Sequence, residues 1–313
     1  NLSELLPTGG GQNSVDFVAT GNLASGQAVA LKTDGTVEVI SGSAAGFGSS
    51  VVFESGNSSY ISSTYDSTNN KIVIAYGSNF GDGTAIVGTV SGTSISFGTA
   101  VVFNGANSDY NSATYDSTNE KIVIFYKDNG NSGHGTAIVG TVSGTSISFG
   151  TAVVFESAAT EYISATFDSN SNKVVIAYRD SPNSDSGTAI VGTVSGTAIS
   201  FGTAVVYNSG TTDFVSCTFD SDSNKVVIAY RDVGAGSPFP ATAIVGTVSG
   251  TAISFGTPAV FESAESDFIS ATFDSTNGKI VIAYRDVGNS SYGTAIVGTV
   301  SGTSISFGTA VVF

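Results

Sequence analysis

The sequence has no tryptophan and no methionine, and among its 313 residues only one cysteine, one histidine and five prolines. The lone cysteine, Cys217, excludes an internal disulfide framework. The lone histidine, His134, excludes an acid–base histidine repeated along the chain. Positive charge is also scarce: ten Lys and Arg against 25 Asp and Glu give a net charge of −15. Nucleic-acid binding needs clustered Lys and Arg to displace counterions, so no nucleic-acid partner is expected, and an anionic membrane surface is disfavoured likewise. No apolar run reaches the length of a spanning helix. The N-terminal residues carry neither the basic segment nor the apolar stretch of a secretion leader, so membrane insertion is not expected. Helix-forming runs are nearly absent.

The chain is instead rich in glycine, with 39, and 41% of it is hydrophobic, which suits many short strands joined by tight turns around a buried core. The strands recur. Tripeptides ending at Phe53, Phe103, Phe155, Tyr207, Phe261 and Phe313 are spaced by 50, 52, 52, 54 and 52 residues. One period, taken at the third copy, reads YISATFDS, KVVIAYRD, GTAIVGTV and TAISFGTAVVY, which predicts four strands, A to D.

In the KVVIAY strand, Val174, Ile176 and Tyr178 fall on one face and Val175 and Ala177 on the other. A strand apolar on both faces belongs to a sheet packed between two others. The pattern therefore predicts an all-β, tandem-repeat β-propeller of four-stranded antiparallel blades. The small residues of the A strand place it innermost. Five full repeats are expected at 54–103, 104–155, 156–207, 208–261 and 262–313. Residues 16–53 read as a shorter, diverged copy. The propeller thus has either six blades with a short first one, or five plus an N-terminal hairpin. Residues 1–15, with Leu2, Leu5 and Leu6 on a glycine-rich tether, read as a docking arm.

Nearly all aromatic residues fall in recurring columns and are expected in the core. Three do not: Phe80, Phe239 and Tyr292, each in a loop between strands B and C. These loops and the D-to-A connections vary in content and are expected on one face, whereas the Ser-Gly turn between C and D recurs in all five repeats. Variation on a constant scaffold points to a contact surface. Lys127, Arg179, Arg231 and Arg285 end the B strands on that face, beside Glu161, Asp213 and Asp267. Inter-blade ion pairing and binding of an acidic ligand by Arg179, Arg231 and Arg285 are both open. The candidate ligand-binding set is Phe80, His134, Phe239, Tyr292, Arg179, Arg231 and Arg285.

No catalytic residue, metal ligand or cofactor is expected. Cys217 shares a column with Ser63, Ala113, Ala165 and Ala271, which marks it as a small core residue. Asp220, Asp222 and Asn224 have the opening spacing of a calcium loop but lack its glycine and bidentate glutamate, so an Asx turn is expected. The sialidase box SxDxGxTW is absent.

The segment VDFVATGNLASGQAVALKTDGTVEVI and the repeats ISATFDSNSNKVVIAYRD and GTAIVGTVSGTSISFGTAVVF resemble repeats of tail-fibre and virion surface proteins of marine phages. The resemblance implies a non-enzymatic virion structural protein on the virion surface or otherwise extracellular, contacting other virion subunits or a host surface glycan or protein. The strand order also resembles propeller lectins, so a glycan-binding propeller is the alternative, with a bacterial cell-surface repeat protein as a third reading. An unpaired outer D strand is a template for another chain, which adds homo-oligomerisation to the expectations.

Overall fold

The computed structural model describes residues 18–19, 29–31, 36–39 and 48–313. The docking arm 1–15, with Leu2, Leu5 and Leu6, lies outside them. Two compact units are present, residues 1–50 and 51–313.

In the first unit, strands Val18–Ala19, Thr36–Val39 and Val29–Leu31 lie side by side in that order, the first pair parallel and the second antiparallel. The A-B-C order of a repeat would instead place Val29–Leu31 in the middle, so these strands do not reproduce the meander of the other copies.

The second unit carries the five repeats and is a β-propeller of antiparallel strands. In the third repeat the A strand occupies the second half of Val153–Asp168, and B spans Lys173–Asp180, C Ser186–Ser195 and D Ala198–Phe201. A pairs with B, B with C, and C with D. The first half of C then pairs with Val205–Asn208, the continuation of D beyond Gly202–Ala204. That continuation runs without a break into the next A strand, giving one 16-residue strand, Val205–Asp220. The expected repeat boundaries at 103/104, 155/156, 207/208 and 261/262 therefore fall inside continuous strands. No turn is needed there, because the outer edge of one sheet leads directly to the inner edge of the next.

Alternation along the B strand divides its side chains between two interfaces. Val175 and Ala177 join Ala189 and Val191 and pack on Val226, Ile228 and Tyr230 of the following repeat. Val174, Ile176 and Tyr178 pack on Val123, Phe125, Ala137 and Val139 of the preceding one. Four such clusters lie between the five repeats. The front of a repeat thus carries mostly Val and Ala, with Phe125 the exception in repeat two, its back carries mostly Ile and Tyr, and every core is shared.

Two recurrent contacts fix the spacing. The Ser62, Ser112, Ser164 and Ser216 hydroxyls each accept the backbone N–H of the next A strand, at Ala113, Ala165, Cys217 and Ala271, over 2.9–3.0 Å. The glycine of each SFGT segment lies against the C-to-D turn of the next repeat: a Cβ on Gly202 would sit 1.9 Å from the Thr251 carbonyl oxygen. Gly308, in the same place in the last repeat, has nothing closer to such a Cβ than the Val297 carbonyl, at 3.8 Å.

Gly202→Ala is expected to lower unfolding stability by about 1–3 kcal/mol through overpacking, and Gly308→Ala to change it by less than about 0.5 kcal/mol. Urea titration of the two variants measures the contrast.

Candidate functional site

The loop-bearing face is built from B-strand ends and A-strand starts. In repeat three the A strand pairs Glu161 with Arg179 and resumes at Ser164 with Ala177, leaving Tyr162 and Ile163 as a bulge. The same register shift occurs in all five repeats. The aromatic residue in each bulge has a left-handed backbone: φ is 47° at Tyr60, 51° at Tyr110, 49° at Tyr162, 50° at Phe214 and 51° at Phe268. This conformation costs a non-glycine residue roughly 1–2 kcal/mol, so something must hold it.

Two interactions do. The five rings stack in sequence, tilted by 45–56° to one another, with centroids 4.9, 5.3, 5.4 and 5.3 Å apart. A cation lies over each ring from the second repeat onward: Lys127 over Tyr110 at 5.9 Å, Arg179 over Tyr162 at 5.1 Å, Arg231 over Phe214 at 4.7 Å and Arg285 over Phe268 at 5.7 Å. Contacts of each kind contribute about 0.5–1.5 kcal/mol, which offsets the backbone strain.

The cations are held in turn by carboxylates shared across the interfaces. Glu161 accepts from Lys127 at 3.1 Å and from Arg179. Asp213 accepts from Arg179 at 2.5 Å and Arg231 at 2.7 Å, and Asp267 from Arg231 at 2.5 Å and Arg285 at 3.2 Å. Asp185 lies 3.4 Å from Arg179, and Glu265 3.0 Å from Arg231. Base and acid alternate through the repeats as a ladder. Repeat one contributes neither charge, having Ser59 and Gly77 at the paired positions.

The predicted candidates therefore separate. Arg179 and Arg231 donate to carboxylates of two repeats each, whereas Arg285, half exposed, meets only Asp267. The other four lie in four different repeats. Phe80 is 88% exposed in the loop before Asp82. Tyr292, also exposed, opens the C strand of repeat five, and half-buried His134 holds the same position in repeat two. Phe239 is half-buried and precedes Pro240, which opens the C strand of repeat four. They line one rim without converging on a single cleft. The B-to-C loops and D-to-A connections do share this rim, since Gly130 lies against Ala106, Gly234 against Gly210 and Gly288 against Ala264.

Sequence reasoning assigned the bulge aromatics to core packing and missed their ladder. Its trace is the recurring acid–aromatic pair Asp109-Tyr110, Glu161-Tyr162, Asp213-Phe214 and Asp267-Phe268. The left-handed backbone leaves no signature, because glycine is absent there.

Elsewhere on the chain, chemistry is muted. Cys217 is buried and burial pushes its thiol pKa well up, which keeps it un-ionised. The Tyr178 hydroxyl donates to Glu156 at 3.1 Å, and burial raises the pKa of both groups. Asp220 accepts from the N–H groups of Asp222 and Ser223 and from the Ser223 hydroxyl, an Asx turn. Among the described residues no group of three His, Cys, Asp or Glu is arranged to hold a metal, and no helix is long and apolar enough to cross a membrane.

Arg231→Met should destabilise the protein by about 3 kcal/mol, because it removes one of the two guanidinium partners of both Asp213 and Asp267 in a largely buried site. Arg285→Met should cost less than about 1 kcal/mol, as for an exposed pair. Denaturant midpoints of the two variants test the difference.

No protein-family model matches the chain, and a comparison with curated proteins found no match. Solved structures are. The SapL1 lectin in complex with alpha methyl fucoside aligns with TM-score 0.50 and 14% identity, over 84% of this chain and 82% of the lectin. A fungal lectin from Aleuria aurantia, described as a six-bladed β-propeller with a fucose recognition mode, aligns with TM-score 0.50 and 13% identity, over 81% and 78%. A protein of unknown function from Dyadobacter fermentans aligns with TM-score 0.53 and 12% identity, over 79% and 80%. At such identities the likeness establishes the fold, and that fold is the β-propeller.

Proposed function

We propose that this chain is a non-enzymatic, carbohydrate-binding propeller that presents its loop-bearing rim to extracellular glycans. The observation that carries the reading is the exposure of apolar rings on that rim, Phe80 above all, with Tyr292 at a strand end beside polar loop residues. An exposed ring on a braced loop offers its flat face to the C–H face of a sugar at low entropic cost. Serine, asparagine and aspartate in the same loops supply hydrogen bonds to hydroxyls.

The lectin neighbours support this reading, since two are described with fucose ligands. The arginines enter differently. Arg179 and Arg231 are committed to carboxylates, so in this reading they brace the rim, and the aromatic residues make the ligand contact. Because Phe80 and Tyr292 belong to separate repeats, binding is by separate weak subsites, which favours clustered glycans through avidity.

A glycan array that includes fucosides, printed at low and high density, should retain the protein mainly at high density. Phe80→Ala and Tyr292→Ala should each weaken retention roughly tenfold, the worth of one stacking ring, with unchanged thermal unfolding. Absence of retention on any glycan at high protein concentration would end this reading.

A further inference from the structure

At the loop-bearing end of an interface between repeats, the outer strand of one repeat sets a polar side chain against the last residue of the next B strand. Between repeats one and two that side chain is Asn104, whose amide donates to Asp128 Oδ1 at 3.1 Å and to the Ser108 hydroxyl at 2.9 Å. Between repeats three and four it is Asn208, which donates to Asp232 Oδ1 and to the Thr212 hydroxyl, both at 3.0 Å. Between repeats two and three the column holds Glu156, with Asp180 and Thr160 in the places of the aspartate and the hydroxyl. An ionised glutamate has no proton to give where the asparagines donate. The surroundings record the difference. Thr160 is fully buried and its hydroxyl has no hydrogen-bond partner. Asp180, itself buried, turns to Asn183 in its own loop and lies beside a second carboxylate instead of an amide. The buried Tyr178 hydroxyl reaches Glu156 Oε2 at 3.1 Å.

We propose that Glu156 and Asp180 share one proton, which takes the place of the asparagine amide, and that this proton makes the rim between repeats two and three sensitive to pH. With the proton in place, the interface has the donor that the Asn104 and Asn208 interfaces have. Without it, two carboxylates repel across the same gap. Glu156 stands at the start of a D-to-A connection, and Asp180 leads into the loop 181–185. The two segments are joined where the Ser181 N–H donates to the Ala159 carbonyl at 3.1 Å. Acid therefore holds the loop on the connection, and base loosens it.

The other charged groups around Glu156 do not supply the missing donor. Lys127 pairs in register with Gly135, the strand partner of Glu156, but its ammonium is held by Glu161. Asp128 is held by Asn104. His134, next to Gly135, acts on Glu156 only through its charge, which lowers the Glu156 pKa, as the Tyr178 hydrogen bond does. Burial, and after it the charge of Asp180, outweigh both and raise Glu156 from its ordinary value; burial raises Asp180 likewise. The folded chain thus binds the proton more tightly than the unfolded chain. Its stabilisation is present below the ordinary glutamate pKa and is lost as pH rises through the folded one.

Glu156→Gln keeps the shape and adds a permanent donor. Its urea midpoint should lie above that of the wild type near about pH 8, and the gap should narrow as the pH falls toward about 5. A gap that is constant with pH, or that widens in acid, overturns the proposal. Carboxyl-carbon NMR of the full wild-type chain tests it without a substitution. Glu156 and Asp180 should titrate over a common pH range, in linked steps, with Glu156 above a free glutamate. A Glu156 that titrates as a free glutamate, or independently of Asp180, overturns the proposal as well.

Discussion

A single repeat of this chain has two apolar faces and cannot cover either one. Its B strand sends Val175 and Ala177 forward and Val174, Ile176 and Tyr178 backward, so half of every core belongs to a neighbour. Stability is then a property of interfaces, as in other repeat proteins where each unit touches only the next. The remaining features follow from keeping adjacent sheets in contact. Glycine is required in SFGT because the next turn's carbonyl occupies the space of a Cβ. A serine sits in each A strand because the next A strand has an N–H to satisfy.

The same logic explains why the charged ladder lies where it does. Near the inner, loop-bearing end the A strand bulges, and each aromatic ring takes a left-handed backbone to reach the ring of the preceding repeat. Guanidinium groups over the rings and carboxylates between the guanidinium groups hold that arrangement, and ion pairs within a repeat alternate with ion pairs that cross to the next, Arg179 to Asp213 and Arg231 to Asp267. Pairing is satisfied on both sides of Asp213 and Asp267, which is what makes partial burial of these charges tolerable. A ladder of this kind sets the angle and height of adjacent loops, and so gives the rim its rigidity.

Much of this is written in the sequence. The period, the four strands and the two-faced B strand follow from residue spacing, and Lys127, Arg179, Arg231 and Arg285 stand out as a column in the sequence. What spacing cannot show is that D and A form one strand, since Asn104-Gly105-Ala106-Asn107 reads as a loop yet lies within Val101–Asp116. Nor can it decide between the two readings left open for Arg179: the carboxylates of Glu161 and Asp213, 18 and 34 residues away, meet it only through the fold. Likeness of DFVATGNL to an A strand did not carry the strand order: Thr36–Val39 pairs with both Val18–Ala19 and Val29–Leu31.

The contrast between the two rims also has a physical origin. On the constant rim, the A-to-B turns of successive repeats hydrogen-bond to one another, Tyr115 to Thr68, Thr118 to Asn172 and Asn170 to the Ser221 carbonyl. The C-to-D turns abut the preceding repeat's glycine. Any change there disturbs two repeats, so the turns stay alike. The opposite loops touch chiefly the connection below them and are free to differ in length. Variation alone therefore requires no ligand. An exposed ring such as Phe80 does call for a reason, because leaving a phenyl group in water forgoes burial worth about 1.5–3 kcal/mol, and a contact made on that rim recovers it.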